Sequence, residues 1–196
     1  MTGDAGCRPW VEQDEGPYYL DGESIRRDLT DDRTGVPLTV AITLRDPDGA
    51  PVVGAVVDVW HCDALGRYSG FPPPGDGDSD APPAGGPAER FLRGRQPTDG
   101  EGRCEFRTVY PGWYDGRTVH IHVIAEVDGR RSTSQLFFPD DLNDDVLARP
   151  PYAQRSGRDT TNATDDIFAH DGEATIPTMT PDGDGFRAEI CLLISR

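Results

Sequence analysis

The sequence predicts an all-β sandwich, and three observations support that class. Glycine (23) and proline (18) make up about a fifth of the 196 residues and fall in frequent turn dipeptides, below the roughly 25–30% that indicates a disordered chain. Several short runs alternate between apolar and polar residues, which is typical of half-buried strands. Long amphipathic helical patterns are absent. Many short strands with few helices favour two packed sheets.

The strands are predicted in order along the chain. The run 37–44 has an apolar residue at every second position and predicts the first strand. Asp48 and Gly49 predict a tight turn and 52–60 predicts a second strand, so these two strands are expected to pair as a hairpin. Further strands are predicted at 104–110, 118–127, 131–138 and 186–194, and short helical turns near 141–148 and 163–170.

The domain organisation follows from length and local composition. A chain of 196 residues suggests a single domain over 1–196. Residues 1–36 lack strong periodicity and are expected to wrap a sandwich formed by 37–196. The segment 71–90 is rich in proline, glycine and aspartate and predicts a long loop that interrupts the domain without dividing it.

The composition excludes several function classes. The formal net charge is −16 and no basic run exceeds two arginines, so nucleic acid is not an expected partner. No stretch approaches about 18 apolar residues, so a membrane is not an expected partner either. All 19 basic residues are arginine, which excludes Schiff-base chemistry and the lysine-bearing phosphate loop. The N-terminus lacks a signal-peptide pattern, so a cytoplasmic location is expected.

The four cysteines are Cys7, Cys62, Cys104 and Cys191. They form no Cys-x-x-Cys pair, which argues against a structural zinc site. In a reducing compartment all four are expected to be free thiols. Cys104 and Cys191 are expected to be small core residues, since both lie in strand-like runs, and Cys7 is expected at the surface.

The strongest chemical signal lies in the predicted strand 118–127. Alternate residues of a strand share a face, and the apolar set from Val119 to Val127 marks the core side. His120 and His122 therefore share the opposite face, close enough to bind one metal ion. Spacing alone leaves open whether these two histidines bind a metal or simply face solvent.

A second metal hypothesis rests on the same strand. His120, His122 and Glu126 have the spacing of the metal motif of cupins. That motif needs flanking glycines, however, and Tyr114 and Thr133 occupy those positions. It also needs another histidine downstream, for which only His170 is available. The cupin interpretation is therefore the less favoured one.

A series of short motifs runs through roughly residues 12 to 170. They are Glu15-Gly-Pro-Tyr-Tyr19, Asp58-Val-Trp-His-Cys-Asp63, Gly66-Arg-Tyr-Ser-Gly-Phe71, Phe91-Leu-Arg-Gly-Arg-Gln-Pro-Thr-Asp-Gly100, Tyr110-Pro-Gly-Trp-Tyr114, Arg117-Thr-Val-His-Ile-His122 and Thr133-Ser-Gln-Leu-Phe-Phe138. In content and order they resemble the intradiol ring-cleavage dioxygenases, the family of catechol, protocatechuate and hydroxyquinol dioxygenases. Several motifs in one order are far more specific than any single one.

The resemblance implies a prealbumin-like β-sandwich with long active-site loops and one Fe(III) per chain. Matched motif by motif, the metal ligands would be Tyr68, Tyr114, His120 and His122. Phenolates are hard anionic donors that suit Fe(III), and a bound cation would ionise a tyrosine whose ordinary pKa is near 10. The implied reaction uses O2 to cleave a catechol-type ring between its two hydroxyl-bearing carbons. The product would be a cis,cis-muconate-type diacid.

The resemblance also implies roles for further residues. Tyr114 would leave the metal when substrate binds and help to accept a substrate proton. Arg117 would stabilise negative charge that develops on the ring. Gln135 would contribute to the substrate site, and Tyr18 and Pro17 would border the pocket.

Departures from the family pattern set further expectations. About 36 residues precede the first predicted strand, so the helical N-terminal dimerisation segment of catechol 1,2-dioxygenases is expected to be missing. Some secreted relatives have a disulfide near Cys7, but the expected partner position, near Asp48, is not a cysteine. This supports the cytoplasmic expectation. A homo-oligomer is suggested by the family alone.

One alternative keeps the fold but not the activity. The segment 49–58 resembles the hairpin of prealbumin-like modules that bind without turnover. The complete set of two tyrosines, two histidines and Arg117 favours an enzyme, since a binding module does not need all five. Catechol, protocatechuate, hydroxyquinol and larger catechols all remain possible substrates.

Overall fold

Two packed sheets confirm the sandwich prediction. The computed structural model describes residues 6–72 and 89–195, so most of the predicted 71–90 loop lies outside the described residues. Within the described ranges no helix is long and apolar enough to span a membrane. The strands and the helix are β1 (Arg8–Pro9), β2 (Pro37–Arg45), β3 (Val56–Trp60), β4 (Arg93–Pro97), β5 (Arg103–Val109), β6 (His120–Val127), β7 (Arg130–Phe137), α1 (Asp140–Leu147), β8 (Thr178–Asp182) and β9 (Gly185–Leu193).

The first sheet has the order β1-β9-β2-β5, with β8 also pairing with β9. In this sheet β9 runs parallel to both β1 and β2. The second sheet is antiparallel in the order β4-β3-β6-β7. Its register places Trp60 opposite His122, and His122 opposite Gln135. Directly paired residues point to the same face, so these three side chains form one row across the sheet.

The core between the sheets is mainly aliphatic, with a few aromatic residues, and follows the predicted alternation. Its fully buried members include Val40, Ile42, Leu44, Val57, Val59, Phe106, Val119, Ile121, Val123, Ala125, Ala188 and Leu192. Burial of these side chains on both inner faces drives the packing of the two sheets. The opposite face of β6 remains available for other chemistry.

The predicted hairpin between the first two long strands is wrong. The turn does form, since Gly49 donates its N–H to the Asp46 carbonyl at 2.9 Å, but β2 and β3 lie in different sheets. The chain crosses between the sheets at Gly54, where a φ of +77° turns the backbone. The crossing lets the apolar faces of both strands meet across the core instead of lying side by side.

Three strands were not predicted, because β1, β4 and β8 are short edge strands without apolar alternation. The N-terminal segment covers two of the exposed sheet edges. Arg26 donates its N–H to the Arg95 carbonyl of β4 at 3.1 Å, and the Arg107 N–H of β5 donates to the Arg27 carbonyl at 2.8 Å. Edge strands need such cover to avoid pairing with other chains. The two predicted helical turns correspond to α1 and to a 3₁₀ turn at Asn162–Thr164 followed by irregular turns.

The cysteine prediction is wrong for two of the four residues. Cys7 and Cys191 form a disulfide across a sequence separation of 184 residues. The parallel pairing of β1 with the end of β9 brings them together, and Cys191 points away from the core that Ile190 and Leu192 enter. Cys62 and Cys104 are free and buried. One ground for a cytoplasmic location, the absence of a partner for Cys7, therefore does not hold.

Candidate metal centre

Strand β6 carries the two predicted histidine ligands on the face turned away from the core between the sheets. His120 and His122 are nevertheless buried, with 2% and 1% of their surface exposed. Their Nε2 atoms lie 3.0 Å apart. The two histidines therefore do not face solvent, and both present a nitrogen to one point.

Burial and one hydrogen bond set the protonation of this pair. The His120 Nδ1–H donates to the Thr118 carbonyl at 2.7 Å, so Nε2 of the neutral ring carries the lone pair. Burial, with the nearby Arg117 charge, lowers the pKa of His120 to about 3. Burial and the neighbouring His120 lower the pKa of His122 well below its usual value. Both rings are neutral at physiological pH and can act as ligands.

Tyr114 brings a third donor to the same point. Its hydroxyl lies 3.1 Å from His120 Nε2, so the single lone pair of that nitrogen faces both the Tyr114 hydroxyl and His122 Nε2. One lone pair cannot accept two good hydrogen bonds. A cation bound by all three atoms would remove this conflict, so the arrangement fits a metal ion.

Tyr68 completes the set from the turn that follows β3. The residue is 4% exposed, and its ring centroid lies 5.6 Å from that of Tyr114 and 6.2 Å from that of His122. Its hydroxyl interacts with the Tyr114 phenol but makes no hydrogen bond of standard geometry among the described residues, which is costly for a buried polar group. Burial, followed by the neighbouring Tyr114, raises the pKa of Tyr68 well above its usual value. The phenol therefore ionises only if a cation compensates its charge.

The other metal hypothesis does not match this geometry. Glu126 lies on β6 beyond the buried pair and is exposed, and His170 is exposed as well. In the described part of the chain no three or more His, Cys, Asp or Glu side chains form a metal-binding group. The cupin ligand set is therefore not assembled, whereas the two tyrosines and two histidines are.

An N-terminal strap, which we define as residues 12–20, packs against the donors. Tyr18 stacks on Tyr68 with ring centroids 4.3 Å apart and an angle of 18° between the planes. It also meets Tyr114 edge-on at 5.9 Å. Gly16 passes over His122, where a β-carbon would lie 3.4 Å from the imidazole Cε1. Pro17, which was predicted to border the pocket, lies between Gly16 and Tyr18 in the strap and is exposed.

Trp60 supports the histidine pair from the neighbouring strand, a contact that sequence reasoning missed. The register places it beside His122, and the two rings stack at 4.7 Å with 9° between their planes. Tyr19 packs on the other side of Trp60 and donates to Asp58 at 3.1 Å. Asp58 also accepts two hydrogen bonds from Arg95, at 2.7 and 2.8 Å. His122 is thus held between a rigid aromatic ring and the strap.

Arg117 and Gln135, predicted from separate motifs, meet at the site. Arg117 Nη2 donates to Gln135 Oε1 at 2.5 Å. Gln135 Nε2 in turn donates to the Asp14 carbonyl of the N-terminal strap at 2.8 Å. Arg117 Nε donates to Asp165 Oδ2 at 2.9 Å. The predicted substrate residues therefore form a continuous hydrogen-bonded chain beside the histidine pair.

Arg93 is a buried cation close to this site. The sequence motifs did not indicate its role. It is fully buried and donates to Ser69 Oγ at 2.8 Å, to the Ser69 carbonyl at 3.0 Å and to the Tyr18 carbonyl at 2.6 Å. Burial lowers its pKa to about 10, so it remains charged at neutral pH. These bonds tie the N-terminal strap to the turn that carries Tyr68.

Comparisons with known proteins agree with this geometry. The dioxygenase family model (Dioxygenase_C) matches residues 14–132, more than half of the chain. An intradiol ring-cleavage dioxygenase from Tetranychus urticae has a similar structure, with a TM-score of 0.88 and 33% identity over 96% of this chain and 95% of that one. The chain belongs to the intradiol dioxygenase family. The dioxygenase domain of a carbohydrate-binding fusion protein from Streptomyces sp. SirexAA-E is also similar, with a TM-score of 0.70 and 30% identity over 95% of this chain and 98% of that one.

The curated relatives of this chain are longer proteins. A catechol 1,2-dioxygenase from Acinetobacter lwoffii is 30% identical over 146 residues, which cover 63% of this chain and 44% of that protein. A chlorocatechol 1,2-dioxygenase from Rhodococcus opacus is 29% identical over 65% of this chain and 53% of that protein. The chain spans about half the length of the curated relatives it matches.

Proposed function

We propose that the chain is a non-haem Fe(III) dioxygenase that cleaves a catechol-type ring between its two hydroxyl-bearing carbons. Both atoms of O2 would enter the product, a cis,cis-muconate-type diacid. One iron per chain would be held by Tyr68, Tyr114, His120 and His122. The observation that carries this proposal is the convergence of the Tyr114 hydroxyl and two neutral imidazole nitrogens, 3.0 and 3.1 Å apart, at a buried point.

The chain's own residues would bind and orient the substrate. Ferric iron, when bound, would polarise both substrate oxygens and make the ring reactive towards O2. Tyr114 Oη would accept a proton from a substrate hydroxyl and would then be a neutral phenol. Arg117 would stabilise charge that develops on the ring. Tyr18 stacks on Tyr68 and Trp60 stacks on His122, and these aromatic rings would help to exclude water from the site.

The substrate and the partners of the whole protein are open within this proposal. The substrate would be a small catecholic molecule, used together with O2. Catechol, protocatechuate, hydroxyquinol and larger catechols are the compounds to screen. Association into a homo-oligomer and a cytoplasmic location stay predictions. The Cys7–Cys191 disulfide weighs against the second, since disulfides persist mainly in oxidising compartments.

The visible spectrum of protein loaded with Fe(III) tests the proposal. A ferric phenolate site gives a coloured protein, and added catechol should move the absorption band to longer wavelength and then be consumed. Tyr68→Phe should lose the colour or the iron, because it removes one phenolate. The matched control is Tyr19→Phe, which removes a partly buried hydroxyl bonded to Asp58 and should leave the colour unchanged.

A second pair of variants tests the imidazole ligands. His120→Ala should lose iron, whereas His170→Ala, at an exposed position, should retain it. A wild-type chain that stays colourless after reconstitution with iron would contradict the proposed site. It would favour the alternative of a β-sandwich module that binds without turnover.

A further inference from the structure

We propose that Asp165 is a positioning residue that aims the Arg117 guanidinium at the substrate. The inference rests on the proposed function, because it assigns the placement of a group that acts in that reaction. Asp165 lies outside the stretch 14–132 that matches the family model, and no motif in the sequence points to it.

The Asp165 side chain has no exposed surface and makes four hydrogen bonds. Its Oδ1 accepts the backbone N–H groups of Ile167 and Phe168, both at 2.9 Å. Its Oδ2 accepts the Thr118 N–H at 2.8 Å and Arg117 Nε at 2.9 Å. The turn after Asp165 thus fixes the carboxylate before it meets Arg117, so the guanidinium binds to a rigid anchor rather than a mobile one.

The protonation state of Asp165 suits this role. Burial alone would raise the pKa of a carboxyl group, but the N–H groups of Phe168 and Thr118 and the Arg117 cation together lower the pKa of Asp165. The Asp165 carboxylate is therefore charged at neutral pH. A buried ion pair with matched hydrogen bonds holds one side-chain geometry.

The rest of the guanidinium is directed by this anchor. With Nε on Asp165, Nη2 reaches Gln135 at 2.5 Å. Gln135 is the β7 residue paired with His122 in the sheet. The guanidinium is therefore held beside the row of Trp60, His122 and Gln135 on the metal-binding face. Nε and Nη2 are the nitrogens that bond to Asp165 and Gln135, so within the described residues the two N–H groups of Nη1 are left to meet a ligand. Positioning of this kind matters because a displacement of about 1 Å can lower a rate by about 100-fold.

The test compares Asp165→Asn with Asp166→Asn, its exposed neighbour. Asparagine keeps the shape and one acceptor for the turn but removes the charge and turns a donor towards Arg117. We expect Asp165→Asn to lower kcat for catechol cleavage by about 10- to 100-fold. KM, iron content and the iron absorption band should change little, because the ligands stay in place. Asp166→Asn should match the wild type in every measurement.

A double-mutant cycle with Arg117→Met separates positioning from general damage. If Asp165 acts through Arg117, the double variant should be no slower than Arg117→Met alone, because the anchored group is already gone. Thermal unfolding of all four proteins verifies that each is folded. Rate losses that multiply would overturn the inference, as would an Asp165→Asn rate within about twofold of wild type or a loss of iron in that variant. An iron-loaded wild type that cleaves no catechol would overturn the proposed function and this inference together, a result distinct from the other three.

Discussion

The two faces of strand β6 are buried in different ways. The inner face presents Ile121, Val123 and Ala125 to the opposite sheet, and all three are fully buried. The outer face presents His120, His122 and Ile124, which are equally buried but have no sheet above them. Their cover comes from distant parts of the chain, the N-terminal strap and the turn that carries Tyr68.

The difference predicts that folding stability and metal binding depend on different faces of the strand. The inner face is held by aliphatic contacts that any two packed sheets provide. The outer face combines aromatic rings with polar atoms whose hydrogen bonds compete, as at His120 Nε2. We therefore expect substitutions on the inner face to act on folding, and those on the outer face to act on metal binding.

Ile121→Ala should give the largest change in stability. Removing a fully buried isoleucine side chain from the core leaves a cavity and costs about 2–5 kcal/mol of unfolding free energy. Urea denaturation of the metal-free protein measures this loss. Iron should bind with wild-type stoichiometry at temperatures where the variant is folded. If iron is lost from the folded variant, the two faces are coupled and the separation fails.

Lowering the pH should destabilise the metal-free chain, because two buried histidines, His61 and His120, are neutral in the folded state. Burial lowers the pKa of His61 to about 4 and that of His120 to about 3, against about 6.5 in the unfolded chain. Below pH 6.5 the unfolded state therefore binds protons that the folded state does not. The stability that these neutral rings provide is complete above about pH 6.5. It is lost as the pH falls towards 4 for His61 and towards 3 for His120. Each ring contributes up to about 1.4 kcal/mol per pH unit.

Urea denaturation at pH 7 and pH 5 measures this loss, and His61→Gln assigns it. The two ring nitrogens of His61 bond to the Cys62 carbonyl at 2.8 Å and to Thr108 at 2.7 Å, and neither bonds to a proposed metal ligand. The variant should lose about 2 kcal/mol less than wild type between the two pH values, from the same linkage. An equal loss in both proteins would show that His61 does not titrate with a lowered pKa.

Gly16→Ala should give the smallest effect, on the outer face alone. Gly16 has φ +71°, and a β-carbon there would lie 3.4 Å from His122. The strained backbone should cost about 1 kcal/mol of stability, and displacement of the strap should weaken iron binding. Gly22→Ala is the matched control, because it has φ +77° but no atom within 4 Å of the added carbon. Equal iron affinity in both variants would show that the strap does not support the site.

Local sequence patterns were enough for the long strands and for part of the site. Alternation placed Val40, Ile42 and Leu44 on one face and separated the core side of β6 from its histidine side, and the structure agrees on both. The motif order brought Tyr68, Tyr114 and the histidine pair into one hypothesis, and the fold places them together. These features depend on residues close in sequence or on whole motifs kept in order.

Contacts between distant segments were not predictable from the same patterns. The hairpin prediction failed because alternation defines a buried face without naming the sheet that covers it, and β2 and β3 entered different sheets. Cys191 was assigned to the core, although the residues on either side of it, Ile190 and Leu192, are the ones that point inwards. The burial of Asp165 and of Arg93, which lies in the 91–100 motif, was not predicted, because a charged residue in a loop or an edge strand is usually solvated.

By itself the sequence determined the sandwich class, the inward face of each long strand and the family to which the chain belongs, because periodicity and motif order are written in neighbouring residues. Only the tertiary structure decided that Cys7 meets Cys191, that the strap covers the histidine pair and that Asp165 anchors Arg117. Those three contacts, Cys7 with Cys191, Gly16 with His122 and Asp165 with Arg117, join residues 184, 106 and 48 positions apart. Their geometry depends on which strand edges and turns the packed sheets bring together.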